Sequence, residues 1–404
     1  MTFREAEEYL LGLELFGMRF GLDRMHKLMT VLGMPQRRFA SIHVVGSNGK
    51  SSTVRMIAAI LERHGVRTGS YTSPHLRTFA ERVEVGERPL PEPAFAAAVA
   101  RAAHAAELVN RTLGEGDEVT QFEALTAAAY HALASSGVEV AVVEAGLGGR
   151  YDATNVIPSA VQVLTTVGLE HTRWLGPTVE DIAREKLAVV RDHATLVSGP
   201  LVPGAEAVAA DVVAARHASH VRVTEPWRGH LGPRGDFQRS NFAVAEAAVQ
   251  AFLDEPIRSD LVERAAGEVR VPGRLEQIAD SPITLIDSAH NPDGARALAE
   301  SLAGQRFTGV VAILEDKEAA QMLEALLPLF DRVIFTRSHN PRSLPPATLQ
   351  SLARQLGADS EVVADPRAAL ERARHLGAPV LATGSIYLIA DLVRERPGTR
   401  ASTL

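Results

Sequence analysis

For most of the chain, short β-branched apolar runs alternate with longer stretches whose apolar residues recur every three or four positions. Continuous apolar runs mark strands buried on both faces, and the 3.6-residue period marks amphipathic helices, so the alternation predicts α/β architecture with a largely parallel sheet. Ile42–Val45 reads as a buried strand followed by a Gly-containing turn. A helix from about Lys50 to His64 places Val54, Ile57, Ala58 and Leu61 on one face and stops at Gly65. Further strands are expected at Val138–Val143, Val161–Thr166 and Thr195–Val197, separated by helical patterns at Pro91–Leu113, Phe122–Ser135 and Val179–Val190. Thr224–Asp236, with two prolines and three glycines, reads as an irregular connection. After Pro272-Gly273 the rhythm restarts, with strands at Ile283–Ile286, Val310–Leu314, Val333–Phe335, Glu361–Val363 and Val380–Ala382. A boundary near Val271–Pro282 therefore divides two α/β domains, the first larger.

The length, 404 residues, suits two domains, and 46% hydrophobic against 23% charged residues excludes disorder as the main state. Forty-two Lys and Arg against forty-nine Asp and Glu leave a charge of −7, which argues against a general nucleic-acid coat or a binder of anionic membranes. The chain has no cysteine, so disulfides, thiolate zinc sites and cysteine nucleophiles are ruled out. Acidic residues interrupt the apolar start, which is therefore no signal peptide, and no run reaches the roughly 18 apolar residues of a membrane span. The expectation is a soluble, cytoplasmic monomer with small-molecule partners, and neither nucleic acid nor membrane.

Gly46-Ser47-Asn48-Gly49-Lys50-Ser51-Ser52 stands where a strand hands over to a helix. Phosphate binding uses that geometry, because loop N–H groups and the helix N-terminus both direct positive charge at an anion. Gly46 and Gly49 allow close backbone approach, Lys50 can neutralise terminal phosphates, and a serine hydroxyl can ligate Mg²⁺. The spacing is shorter than a full Walker loop, since Val44 occupies the place of its first glycine. A tight glycine turn into a helix is the plainer alternative; nucleotide binding fits the flanking glycines better.

Seven segments in this order resemble a known family: GSNGKSS, TSPHL (Thr72–Leu76), EAGLGGRYDATN (Glu144–Asn155), EHT with WLG (Glu170–Gly176), EK (Glu185-Lys186), PGRLE (Pro272–Glu276) and DSAHNP (Asp287–Pro292). The chain is similar to folylpolyglutamate synthase/dihydrofolate synthase, of the Mur-ligase superfamily, from about Phe16 to Ile389. The resemblance implies a larger N-terminal P-loop-type ATPase domain with a mostly parallel sheet, residues 1–272, which binds ATP and the pterin. It implies a smaller Rossmann-like α/β C-terminal domain, residues 278–404, on the glutamate and nucleotide side.

It also implies residue roles. Ser47, Asn48, Gly49, Lys50, Ser51, Ser52, Asn241, Arg274 and Asp287 would contact ATP, with Ser52 at the family's hydroxyl position and the nucleotide between the domains. Asn241 falls just ahead of a helix expected over Phe242–Phe252. Ser73, Glu144 and His171 would be magnesium ligands. Taken alone, Glu144 reads as a cap or salt-bridge residue and His171 as a structural histidine. Lys186 would be carbamylated, which requires an unprotonated amine. Lys50, Lys186, His171 and Arg274 form the expected catalytic set. Phe20, Gly21, Thr120, Gln121, Phe122, Glu123, Tyr151, Asp152 and Ala153 match substrate-contacting positions, although Phe122 and Tyr130 read equally as helix-core aromatics. Asp287 also suits a helix N-cap, and Arg82 takes no firm role. The chain departs from the family at Ser47 and Ser51, usually Thr and Gly, at Glu170, usually Asp, at Leu187-Ala188, usually Ala-Gly, and at Ser288, usually Gly.

The implied reaction is ATP-dependent amide formation. A carboxylate attacks the γ-phosphate, giving an acyl phosphate and ADP, and L-glutamate's amine then displaces phosphate. The first substrate is 7,8-dihydropteroate, a reduced folate, or both in turn, with ATP and Mg²⁺ as cofactors. Alternatives are a folylpolyglutamate synthase alone, a Mur-type ligase with another carboxylate, or a nucleotide-binding protein without turnover.

Overall fold

In the computed structural model the apolar run at Ile42–Val45 becomes β1 (Ala40–Val45), a central strand with neighbours on both sides. The structure describes residues 1–13 and 21–394; Phe20 lies outside them. Two compact units divide the described residues, 1–230 with 240–269, and 231–239 with 270–394.

The first unit holds β1, β2 (Thr68–Tyr71), β3 (Val83–Val85), β4 (Arg88–Pro89), β5 (Val140–Glu144), β6 (Val161–Leu164), β7 (Thr195–Ser198) and β8 (Ser219–Arg222). Their order is β4-β3-β2-β5-β1-β6-β7-β8, parallel from β2 to β8, with β3 and β4 antiparallel. Val44 lies level with Glu144, and Val45 with Leu164. That register brings the loops after β1, β5 and β6 to one edge of the sheet, where ligands bind in open α/β folds. One apolar cluster joins Tyr71, Ala141 and Val143 to the alanine-rich helices Glu92–Asn110 and Gln121–Ser135. Another joins Val45, Leu164 and Leu196 to the helices Val179–Leu187 and Pro203–Ala215.

The second unit contains β9 (Glu276–Asp280), β10 (Ile283–Ile286), β11 (Phe307–Val311), β12 (Phe330–Phe335), β13 (Ser360–Val362) and β14 (Val380–Thr383). The order is β13-β12-β11-β14-β10-β9, with only β9 antiparallel among the described strands. Leu285, Phe307, Val311, Met322, Leu326 and Phe335 fill its core.

Several boundaries differ from the pattern. The strand expected at Val138–Val143 runs Val140–Glu144, and that at Val310–Leu314 runs Phe307–Val311. The helix expected over Val179–Val190 ends at Leu187, with Ala188 as its cap. Asn241 lies inside a helix, Asp236–Leu253, that starts earlier than its apolar stripe. The hairpin β2–β4 leaves little apolar signal because its burial comes from elsewhere: a Cβ at Gly69 would meet Leu133 and lie 3.1 Å from Val138 Cγ2.

Candidate active site

At the end of β1 the chain turns through Gly46–Gly49 into the helix Lys50–Arg63. Both glycines have positive φ, 150° and 84°, and added side chains there would collide with Thr165 and Asn241. Only glycine meets both demands. The segment after β6 holds the loop: Ser47 N donates to Thr166 O at 2.8 Å, Asn48 N to Thr166 Oγ1 at 3.0 Å, and Thr165 Oγ1 to Asn48 O at 2.6 Å. Lys50 Nζ folds over the turn, 2.9 Å from Gly46 O and 3.3 Å from Ser47 O. Asn241, brought in by its helix, stands against Gly49. The structure thus gathers Ser47, Asn48, Gly49, Lys50 and Asn241.

Glu144, the last residue of β5, is buried beside this loop. Its Oε1 accepts from Ser51 Oγ at 3.0 Å and its Oε2 from Ser73 N at 3.1 Å. Ser52, the position matching the family's hydroxyl, is buried in the helix's first turn, and Ser51 supplies the hydroxyl that meets the carboxylate. A carboxylate with two serines offers hard oxygen donors, and these residues fit Mg²⁺ shared with substrate phosphates. His171 is exposed, in left-handed conformation (φ 48°) ahead of a short helix, Thr172–Leu175. Among the described residues no three His, Asp or Glu side chains form a ready-made metal cluster.

Lys186 is 1% exposed on the helix Val179–Leu187. Its Nζ donates to Gly46 O and to Glu170 Oε1, both at 3.0 Å, so it joins the phosphate loop to the segment after β6. Burial alone would raise Glu170's carboxyl, but Lys186, with Lys50 and His171, holds it at about 2. Lys186 is itself lowered, by burial first and by Lys50, against the pull of Glu170. Pattern reading treats Glu170 only as a departure from the family; nothing in the sequence places its carboxylate on Lys186.

Of the residues expected to contact substrate, Phe122 and Asp152 meet at Gly146: a Cβ there would lie 2.6 Å from the Phe122 ring and 3.2 Å from Asp152 Oδ2. Phe122 stacks on Tyr71 with centroids 6.3 Å apart, whereas Tyr130 is pure core, hydrogen-bonded to Thr154 O. Asp152 is buried and ties its own loop, accepting from Leu147 N at 2.8 Å and from Thr154 N at 3.0 Å. Burial pushes its carboxyl up, against those bonds. Tyr151 is exposed and Ala153 buried. Thr120 and Glu123 form a capping box, Glu123 also pairs with the buried Arg24, and Gln121 Nε2 donates to Leu10 O at 2.7 Å. Those three side chains are engaged in structural bonds.

In the second unit Asp287 is buried, accepting from Leu275 N at 2.8 Å and Ala289 N at 2.7 Å. Burial raises its carboxyl while Arg274 pulls it down. It organises the turn between β10 and the helix Pro292–Ser301, whose actual N-cap is Asn291.

Comparison with known proteins shows what the chain is similar to. Residues 273–386 match the model of the Mur ligase glutamate ligase domain. A dihydrofolate synthase/folylpolyglutamate synthase of Mycobacterium tuberculosis is 36% identical over 366 residues, 80% of this chain and 75% of that protein. A folylpolyglutamate synthase of Lacticaseibacillus casei is 33% identical and covers 98% of each chain. The solved structure of Mycobacterium tuberculosis folylpolyglutamate synthase complexed with ADP superposes with a TM-score of 0.90 at 31% identity, over 96% of each chain.

Proposed function

The chain belongs to the dihydrofolate synthase/folylpolyglutamate synthase family, and we infer from this membership and the site that it is an ATP-dependent ligase using Mg²⁺. It adds L-glutamate to 7,8-dihydropteroate and to reduced folates through an acyl phosphate. The observation that carries the chemistry is the convergence of Ser51, Ser73 and Glu144 beside a phosphate loop that bears Lys50.

The residue roles are part of the proposal. Loop N–H groups and Lys50 receive the phosphates, and Lys50 with Arg274 stabilises charge on the phosphoryl group in transfer. Ser73, Glu144 and His171 are the proposed ligands of Mg²⁺, which when bound screens the phosphate charge so that two anions can approach. Asn241 and Asp287 contact the nucleotide, and Phe122 and Asp152 receive the pterin ring. Lys186 is proposed to be carbamylated, because burial and Lys50 both favour the neutral amine that reaction needs. In ¹³C-bicarbonate the protein should show a carbamate carbon resonance that Lys186→Arg removes; an unmodified wild-type chain would end that assignment. The acting species is proposed to be a cytoplasmic monomer.

The test is incubation with MgATP and L-glutamate, adding dihydropteroate in one reaction and tetrahydrofolate in another, with products read by mass. Growth of both by glutamate steps is expected. Growth of tetrahydrofolate alone would leave a dedicated polyglutamylase, and no growth of either would move the substrate to another carboxylate.

A further inference from the structure

His43, in the middle of β1, is fully buried. Its Nε2 stands 2.8 Å from Thr154 Oγ1, which itself bonds to Asp152 Oδ1. Its Nδ1 has no hydrogen-bond partner. Asp152 is anchored on its other oxygen by Leu147 N, beside Gly146 and Phe122. A three-residue chain of polar groups therefore runs from the sheet interior to the carboxylate at the proposed pterin face.

We propose that His43 is a positioning residue whose Nε2–H donates to Thr154 Oγ1, directing the threonine proton onto Asp152. This holds Asp152 as a carboxylate acceptor for the edge of a heteroaromatic ring that carries paired N–H donors. The proposal rests on the reading of Asp152 as a pterin contact.

The direction follows from proton counting. A neutral imidazole has one N–H, and a threonine hydroxyl has one proton. In one arrangement Nε2–H donates to Thr154, Thr154 donates to an ionised Asp152, and Nδ1 is left as a bare lone pair. In the reverse arrangement a protonated Asp152 donates to Thr154, Thr154 donates to Nε2, and the ring's N–H sits on Nδ1 facing no acceptor. A buried donor without an acceptor forfeits its hydration, and orphaned N–H groups are rarer in proteins than under-satisfied acceptors. The first arrangement is favoured. Burial, aided by Arg191, pushes the imidazole down to about 3, so the ring stays neutral across the neutral range and keeps a single N–H. Backbone bonds from Leu147 and Thr154 also suit an ionised Asp152, since a carboxylate accepts at every oxygen.

A histidine that only filled space would give a different mutational pattern. Glutamine at 43 can place an N–H near the ring's Nε2, whereas leucine fills similar volume without one. Dihydropteroate KM and kcat should be measured on the full chain with MgATP and L-glutamate, alongside MgADP affinity by titration calorimetry. His43→Leu and Thr154→Val should each raise the dihydropteroate KM roughly tenfold, the cost of a hydrogen bond to a charged group, with MgADP affinity unchanged. His43→Gln should stay within about threefold of wild type, and the Leu/Val double variant should be no worse than either single change. Equal losses in His43→Gln and His43→Leu, an unchanged KM in His43→Leu, or a parallel fall in MgADP affinity would each overturn the relay. Should His43→Leu not fold, Thr154→Val against Thr154→Ser makes the same comparison. Asp152→Asn separates the premise: if it leaves KM unchanged, the pterin reading of Asp152 fails and takes the relay with it. If the chain extends only tetrahydrofolate, the same comparison on that substrate decides the role of His43.

Discussion

A lysine with almost no solvent contact must settle its charge with whatever the fold brings to it, and for Lys186 that is Glu170 and a carbonyl of the phosphate loop. Both partners of this pair are taken out of water, so breaking it by removing one is costlier than losing an exposed ion pair. The sign of its pH dependence is set by Glu170, whose carboxyl is depressed in the folded state from the ordinary 4.5 to about 2. A depressed carboxyl binds protons less readily when folded, so its contribution is complete above 4.5 and is lost as the pH falls towards 2. Urea midpoints measured across that window in CO₂-free buffer, where Lys186 is the ammonium that pairs with Glu170, should fall steeply in the wild type. Glu170→Gln should be less stable at neutral pH and show a shallower acid limb; an identical slope would mean that the pair does not govern it. The lysine was legible in the sequence as a candidate and its partner was not, because a separation of sixteen positions hides the contact.

At the scale of elements, the segment between β5 and β6 packs its turn against the helix that carries Lys186. A Cβ at Gly149 would fall 2.5 Å from Lys186 O and 2.8 Å from Glu185 O, both of them backbone atoms that cannot rotate aside. Gly149→Ala should therefore destabilise the protein by about 1–3 kcal/mol, the usual cost of forcing atoms into a filled space. It should also weaken MgADP binding, since the displaced helix carries the side chain that holds Gly46 O. Thermal unfolding and nucleotide titration of the variant check this, and a wild-type midpoint would show that the turn can shift freely. Strands with mainly apolar runs, such as β1 and β10, were readable from their residues. The hairpin β2–β4 was not, because Gly69, Ser70 and Arg88 gain their places from neighbours in space.

For the whole molecule, sheet edges decide whether a second copy finds a template. The outer strands carry Arg88-Pro89 in β4, His220 and Arg222 in β8, Glu361 in β13, and Glu276 and Asp280 in β9. Proline and charged side chains on exposed edges discourage strand-to-strand pairing. The net charge of −7 adds mutual repulsion between copies. Light scattering behind size exclusion should therefore return one species at 43.3 kDa. A mass twice that, stable on dilution, would refute the monomer. No helix among the described residues is long and apolar enough to cross a membrane.

By itself the sequence determined the alternation of strands and helices, the phosphate loop and the order of the family's motifs. These are local properties: an apolar run, two glycines and a lysine at a strand–helix junction need no distant partner to be recognised. Only the tertiary structure decided that Ser51 reaches Glu144, that Asn241 lies against Gly49, and that Glu170 reaches Lys186. It alone also turned Thr120, Gln121 and Glu123 towards structural bonds and placed His43 behind Asp152 through Thr154. The physical reason is register. Parallel strands far apart in the chain end at one edge, and the side chains that meet there are chosen by hydrogen-bond alignment across the sheet.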